Sequence, residues 1–173
     1  MEIRIRLATP ADLPDILTVT DQAQVVFHEM GIDQWDRPDY PDADIVNDIA
    51  AGQSWVAIAN IPERHLDTAE QIVGTMACYL GGEGLYVDPD LHWQYPESDS
   101  TAVHRFAVLT EATGQGVARA MLDTAQKLAG HVRIDTHPGN KKMQGVLVHL
   151  GFRHVGDVYY PIPGEQRRLC YER

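Results

Sequence analysis

The stretch RFAVLTEATGQGVARAML, residues 105–122, holds the pattern with the most chemistry in it. An apolar run at 106–109 gives way to a polar turn containing Gly114 and Gly116, and a helix-like apolar pattern follows. Glycines where a strand feeds a helix let backbone approach an anion, because the first amides of a helix are donors without intrahelical acceptors. A P-loop needs Lys-Ser or Lys-Thr after its last glycine, and Val117-Ala118 stands there instead. A dinucleotide fingerprint needs a third small residue where this chain has Arg119, and it opens its fold rather than falling midway along it. Two readings survive from these residues alone: a main-chain phosphate cradle, and a glycine-containing helix start with no ligand. The eight histidines and two cysteines show no spacing of a metal site, so no metal is expected.

The elements that position the turn follow from periodicity. Residues 2–8 alternate charged and apolar and predict a half-buried strand. Thr9, Pro10 and Asp12 form a helix-start signal, and the helix should run to about Met30 and stop at Gly31. A loop with Trp35 and Tyr40 follows, then a shorter helix over 43–52 and strands at 54–60 and 71–80. Residues 81–100 form a long, glycine-, proline- and aromatic-rich loop, a length commonly associated with function or partial disorder. A strand at 101–109, a helix over 114–129, a strand at 131–135 and a helix over 140–150 closed by Gly151 come next. A terminal strand pair, 153–162 and 166–172, ends the chain. The order β-α-α-β-β-β-α-β-α-β-β describes one α/β domain, residues 1–173, with a mixed sheet.

Composition narrows the function classes. The 173 residues suit one domain, and 44% apolar with 23% charged residues is the profile of a folded soluble protein. No apolar run approaches a membrane span, and the N-terminus does not read as a signal peptide, so a cytoplasmic protein is expected with no membrane partner. A net charge of −11 disfavours nucleic acid as a partner and mildly favours a cationic substrate, although acidity also serves solubility. Whether the chain works as a monomer or a homodimer is left open.

Residues 113–118 resemble the pyrophosphate loop of the Gcn5-related N-acetyltransferase (GNAT) superfamily, whose turn reads Gln/Arg-x-x-Gly-x-Gly/Ala. Gly116 and Ala118 match, while Thr113 takes the place of Arg or Gln. Residues 135–152, DTHPGNKKMQGVLVHLGF, resemble the strand, helix and closing Gly-Phe that follow in that family, with Asn140 twelve residues before Phe152. The resemblance is strongest over 103–152. It implies an α/β fold of the acyl-CoA N-acyltransferase type: a single mixed, mostly antiparallel sheet flanked by helices, with its central strands splayed apart.

The resemblance also implies roles. Acetyl-CoA would be the acyl donor and a primary amine of a small molecule the acceptor, with direct attack of the neutral amine. The Val108 main chain would pair with the pantetheine arm and its amide would face the thioester carbonyl. Gly114, Gln115, Gly116, Val117 and Ala118 would hold the pyrophosphate. Asn140 would touch the donor, cap the following helix, or do both. His104, four residues before Val108 and on the same face by strict alternation, is the candidate general base, a residue type with the right unperturbed pKa near ~6.5. Many members carry a tyrosine as general acid where this chain has Leu147, and His137 is a weaker candidate for that role. The acceptor site is expected around Trp35, Tyr40, Glu83 and Trp93, with Tyr86, Tyr95, Asp88 and Asp90 in the same segments. Two alternatives stay open: a protein lysine or N-terminal amine as acceptor, and a catalytically idle acyl-CoA-binding module.

Overall fold

The computed structural model describes residues 2–32, 34–35, 39–60, 70–81, 90–160 and 167–173. Strand β1 (Ile3–Leu7) leads through a 3-10 turn (Pro10–Asp12) into helix α1 (Leu13–Glu29). The helix start is tied to the strand by one carboxylate. The Thr9 amide and hydroxyl donate to Asp12 Oδ2 at 2.7 and 2.8 Å, and Arg6 grips both Asp12 oxygens at 2.7 and 2.8 Å. That two-pronged guanidinium bond holds the Asp12 carboxyl far below its ordinary range, against the opposing effect of burial. Gly31, at φ +67, ends the α1 region as its sequence position predicts.

Helix α2 (Asp42–Ala50) and strands β2 (Ser54–Ala59), β3 (Gln71–Leu80) and β4 (Ser100–Val108) come next. Helix α3 (Val117–Ala129), strand β5 (His131–Thr136), helix α4 (Lys141–His149) and strands β6 (Arg153–Tyr159) and β7 (Arg167–Glu172) complete the described chain. The strands form one mixed sheet in the order β1-β2-β3-β4-β5-β7-β6. β1/β2, β2/β3, β5/β7 and β6/β7 are antiparallel, while β4 and β5 run parallel from Ser100↔His131 to Val103↔Ile134. That register ends there although β4 runs on to Val108 and β5 to Thr136, so the last residues of each make no pair with the other. This is the splayed α/β sheet that the resemblance implies.

Contacts group the chain into two units. One comprises Met1–Val25, Trp35–Ala77 and Arg105–Leu122; the other comprises Val26–Gln34, Cys78–His104 and Asp123–Arg173. The first buries Ile16, Val19, Val56, Val73, Val117 and Met121. In the second, Leu91, Ala102, Val155, Val158 and Cys170 form a core cluster flanked by Tyr79, Trp93 and Tyr160. No helix among the described residues is long and apolar enough to cross a membrane.

Candidate active site

Strand β4 changes its hydrogen-bonding parity part-way along. At its start the Gly81 amide donates to the Ser100 carbonyl, so Ser100 presents its polar backbone to β3. Past its end the Leu109 amide donates to the Val73 carbonyl of β3 at 2.9 Å. A strand residue points its N–H and C=O to one side and its neighbour points them to the other. Val73 to Gly81, the residue just past β3, is eight steps, whereas Ser100 to Leu109, the residue just past β4, is nine, so the β4 side carries one extra residue. The β-bulge sits at Arg105, whose φ of +47 lies in the left-handed region that side chains other than glycine seldom occupy. Without it Val108 would share the parity of Ser100 and turn its amide to β3. With it, Leu109 faces β3 and the Val108 amide points away.

The bulge corrects one expectation. Strict alternation was to put His104 and Val108 on one face, but the extra residue at Arg105 breaks the period between them, and His104 and Phe106 on either side of it are both half-buried. His104 belongs to the upstream parity, on the face of Ala102, with its ring centroid 5.6 Å from that of Tyr79.

The turn after β4 is built for exposed backbone. Gly114 and Gly116 have φ of +79 and +89, and a Cβ added at Gly114 would meet nothing within 4 Å. The first intrahelical bond of α3 is Ala120 N–H to Gly116 O, so the amides of Val117, Ala118 and Arg119 precede the helical ladder. The first turn of α3 contains no acid and one exposed cation, Arg119, against the usual preference of a helix N-terminus. A bound anion would reverse that imbalance. Gly74 on β3 lets α3 come close: a Cβ there would lie 2.8 Å from Met121 Sδ and 3.1 Å from the Ala107 carbonyl. Room, free amides and local charge all fit a pyrophosphate.

In the other unit, Asn140 caps α4, its Oδ1 accepting from the Met143 amide at 3.1 Å. His137 Nδ1 accepts from the Gly139 amide at 2.9 Å, which places the proton of a neutral ring on Nε2 and gives this histidine a turn-holding role.

A family model described as the Acetyltransferase (GNAT) family matches residues 21–152. The chain belongs to that family. Among solved structures it is similar to a GNAT-family acetyltransferase from Streptococcus agalactiae 2603, with a TM-score of 0.82 and 29% identity over 99% of this chain and 94% of that one. A GNAT-family acetyltransferase from Listeria monocytogenes 4b F2365 gives a TM-score of 0.66 at 21% identity, covering 100% and 95% of the two chains. The PaiA N-acetyltransferase of Thermoplasma acidophilum, solved in complex with coenzyme A, gives 0.65 at 16% identity, covering 100% and 99%. The last two likenesses bear on the fold. No curated protein sequence matches the chain.

The remaining expected residues of this GNAT chain are placed as follows. Leu147 is fully buried in α4 at 0% exposure, so solvent does not reach its side chain. Trp35, at φ +66, is buried, and Gln24 of α1 donates one amide to both the Trp35 and Tyr40 carbonyls at 3.1 Å, which fixes that loop to its unit. Trp93 stacks under the Arg133 guanidinium, 4.3 Å from its ring centroid, and packs on the Leu91 cluster. Glu83, Tyr86 and Asp88 lie outside the described residues. Val108 and residues 114–118 share one unit with Trp35 and Tyr40, while His104, Trp93 and Asn140 belong to the other.

Sequence reasoning missed two charge constellations. Arg105 Nε donates to Asp48 Oδ2 at 2.7 Å, with both side chains over nine-tenths buried. Glu172, buried in β7, accepts from the Gln94 and Tyr95 amides at 3.0–3.2 Å and from Arg153 at 3.0 Å. Arg133 donates to the Tyr95 carbonyl at 2.7 Å and Tyr95 stacks on His131 at 3.4 Å, so residues 93–95 are clamped to β5 and β7. The available signal was a charged residue inside an apolar strand, facing acids four apart on α2 in the first case.

Proposed function

We propose that residues 1–173 act as one N-acetyltransferase domain that moves an acetyl group from acetyl-CoA to a primary amine of a small molecule by direct attack. The observation that carries this reading is the amide of Val108, turned away from β3 by the bulge in the same unit as a glycine-opened helix start. Residues 114–118 hold the donor's pyrophosphate through main-chain amides, assisted by the cationic first turn of α3. Asn140 has its Oδ1 committed to Met143, so its contact with the donor is through Nδ2. The Val108 N–H donates to the thioester carbonyl oxygen as charge develops there, an effect worth about 10²–10³-fold in rate for one preorganised donor. An amine of pKa near ~10 is almost wholly protonated at neutral pH, and His104 removes the proton. The leaving thiolate takes its proton from solvent, since Leu147 offers none. Trp35, Tyr40, Glu83 and Trp93 border the acceptor. We assign the protein to the cytoplasm, with which its low cysteine count of two agrees.

The test has two parts. Calorimetric titration with coenzyme A should show binding that Ala118→Glu weakens at least ~10-fold, and the substitution should not destabilise the fold, because a carboxylate in the first turn of a helix is favourable by about 0.3–1 kcal/mol. Thiol release from acetyl-CoA should then appear with some member of a panel of small amines. Absence of coenzyme A binding removes the donor assignment. Binding with release only on peptide amines moves the acceptor class, and binding with no release on either leaves an idle acyl-CoA-binding module.

A further inference from the structure

We propose that the buried Arg105–Asp48 ion pair is a latch that holds the β4 bulge in place and so aims the Val108 amide, making Arg105 and Asp48 positioning residues of the reaction. The inference rests on the acetyltransferase reading for what the amide does, but its structural half stands on the bulge alone. A residue bearing a Cβ at φ +47 inside a strand is in a disfavoured conformation that glycine would adopt without strain. The chain nevertheless places arginine there, so something beyond local preference keeps the bulge where it is.

The side chain supplies it. Arg105 Nε donates to Asp48 Oδ2 at 2.7 Å, and Nη1 lies 3.9 Å from Asp44 Oδ2. Asp44 and Asp48 are one helical turn apart on α2 and so present their carboxylates on one face. The exposures of the Arg105 and Asp48 side chains are 9% and 6%. A buried ion pair is a poor device for stability alone, since an apolar pair of similar volume often does as well, but it is strongly directional. If the strand slipped by one residue to remove the bulge, the guanidinium would leave Asp48, and two charges would be stranded out of water. The bulge therefore cannot migrate or relax without breaking the pair. Its position matters: it separates His104, on the upstream parity, from Val108, on the downstream one.

Two double variants separate the latch from other roles. Arg105→Gly/Asp48→Asn and Arg105→Ala/Asp48→Asn both remove the two charges. They differ only by one Cβ, which glycine's freedom at φ +47 makes decisive. With acetyl-CoA and the acceptor found above, the alanine variant should lose about 10²-fold in kcat, the scale of one misaimed donor, with its KM for acetyl-CoA within about 3-fold of wild type. The glycine variant should stay within about 5-fold of wild type in kcat. Backbone amide exchange followed by NMR gives a readout independent of activity. The Val108 amide should exchange rapidly in the wild type and the glycine variant, and become protected in the alanine variant as it turns to β3. If the alanine variant does not fold, the glycine variant should still fold, and a glycine variant that is also unfolded overturns the latch. Equal kcat and equal exchange in two folded variants overturn it as well, whether both are active or both inactive; in the latter case Arg105 acts by direct contact. The expected exchange pattern in a wild-type protein without thiol release would support the latch and count against the acetyltransferase reading.

Discussion

Leu147→Tyr tests how this chain manages without the family's usual tyrosine. The side chain is fully buried in a nine-residue helix whose N-terminus is fixed by the Asn140 cap. Its carbonyl accepts from the amides of Leu150 and Phe152, which closes the other end. Helix α4 is thus held at both ends and has little freedom to shift and admit a larger ring. Overpacking a filled site costs about 1–3 kcal/mol. The new hydroxyl adds about 1–3 kcal/mol if it finds no partner. A loss of about 2–6 kcal/mol follows, and at roughly 2–4 °C per kcal/mol for a chain of this size the melting temperature should fall by about 5–20 °C. Turnover should not rise, because the added hydroxyl has no open path to a donor sulfur. Leu147→Met, which keeps the volume, is the control and should cost less than about 1.5 kcal/mol. Thermal unfolding followed by circular dichroism, with thiol release measured on the same preparations, decides the matter. A tyrosine variant that melts within about 2 °C of wild type and turns over faster would mean that position 147 faces the donor, and the packing account of α4 would be wrong.

Three further outcomes are expected. His104→Ala should cut turnover by about 10²–10⁴-fold with coenzyme A affinity near wild type, and the acid limb of the pH–rate profile should vanish or move; wild-type turnover with the limb unchanged would remove His104 as the base. Arg6 holds the Asp12 carboxyl low in the folded state, so as pH falls the unfolded chain takes up the proton first. The stabilisation is complete above the ordinary carboxylate range and is lost as pH drops from about 4 toward the lower folded value. Asp12→Asn should therefore melt lower at pH 7 and lose less stability between about pH 5 and 2 than wild type, and parallel melting curves against pH would contradict the linkage. Glu172→Gln leaves the Gln94 and Tyr95 amides with a weaker acceptor and should cost about 2–3 kcal/mol while speeding exchange of both amides; unchanged exchange would show that the clamp on residues 93–95 lies elsewhere.

The elements were legible where the signal is local. Thr9, Pro10 and Asp12 announced the helix that follows them, and the structure adds that Asp12 is also the anchor for Arg6. Gly31 and Gly151 marked helix ends because a left-handed residue there is a property of one position. The glycine turn was legible for the same reason, since Gly114 and Gly116 both adopt positive φ. The charged residues of the late strands were not. Arg133 and Glu172 are charged residues of short strands, yet both are buried, because residues 93–95 fold over them and supply the partners. That pairing joins positions far apart in sequence, and neither residue's own strand contains a trace of it.

The bulge at Arg105 lies further from view, and it governs the chemistry. A period-two pattern assumes that a strand and its neighbour count residues in step, and an extra residue is a relation between two strands rather than a feature of either. The break has a physical use. At its start β4 is bonded on both sides: Ser100 to Val103 pair with β5, and the Ser100 carbonyl accepts from the Gly81 amide that follows β3. Five residues past Val103, at Val108, an acyl transfer needs the opposite: a strand amide held rigidly and left without a strand partner. A regular strand would meet the first demand and defeat the second, because the parity that bonds Ser100 to β3 would bond Val108 to β3 as well. One extra residue reverses the parity within a single strand, and a buried ion pair fixes where the reversal falls.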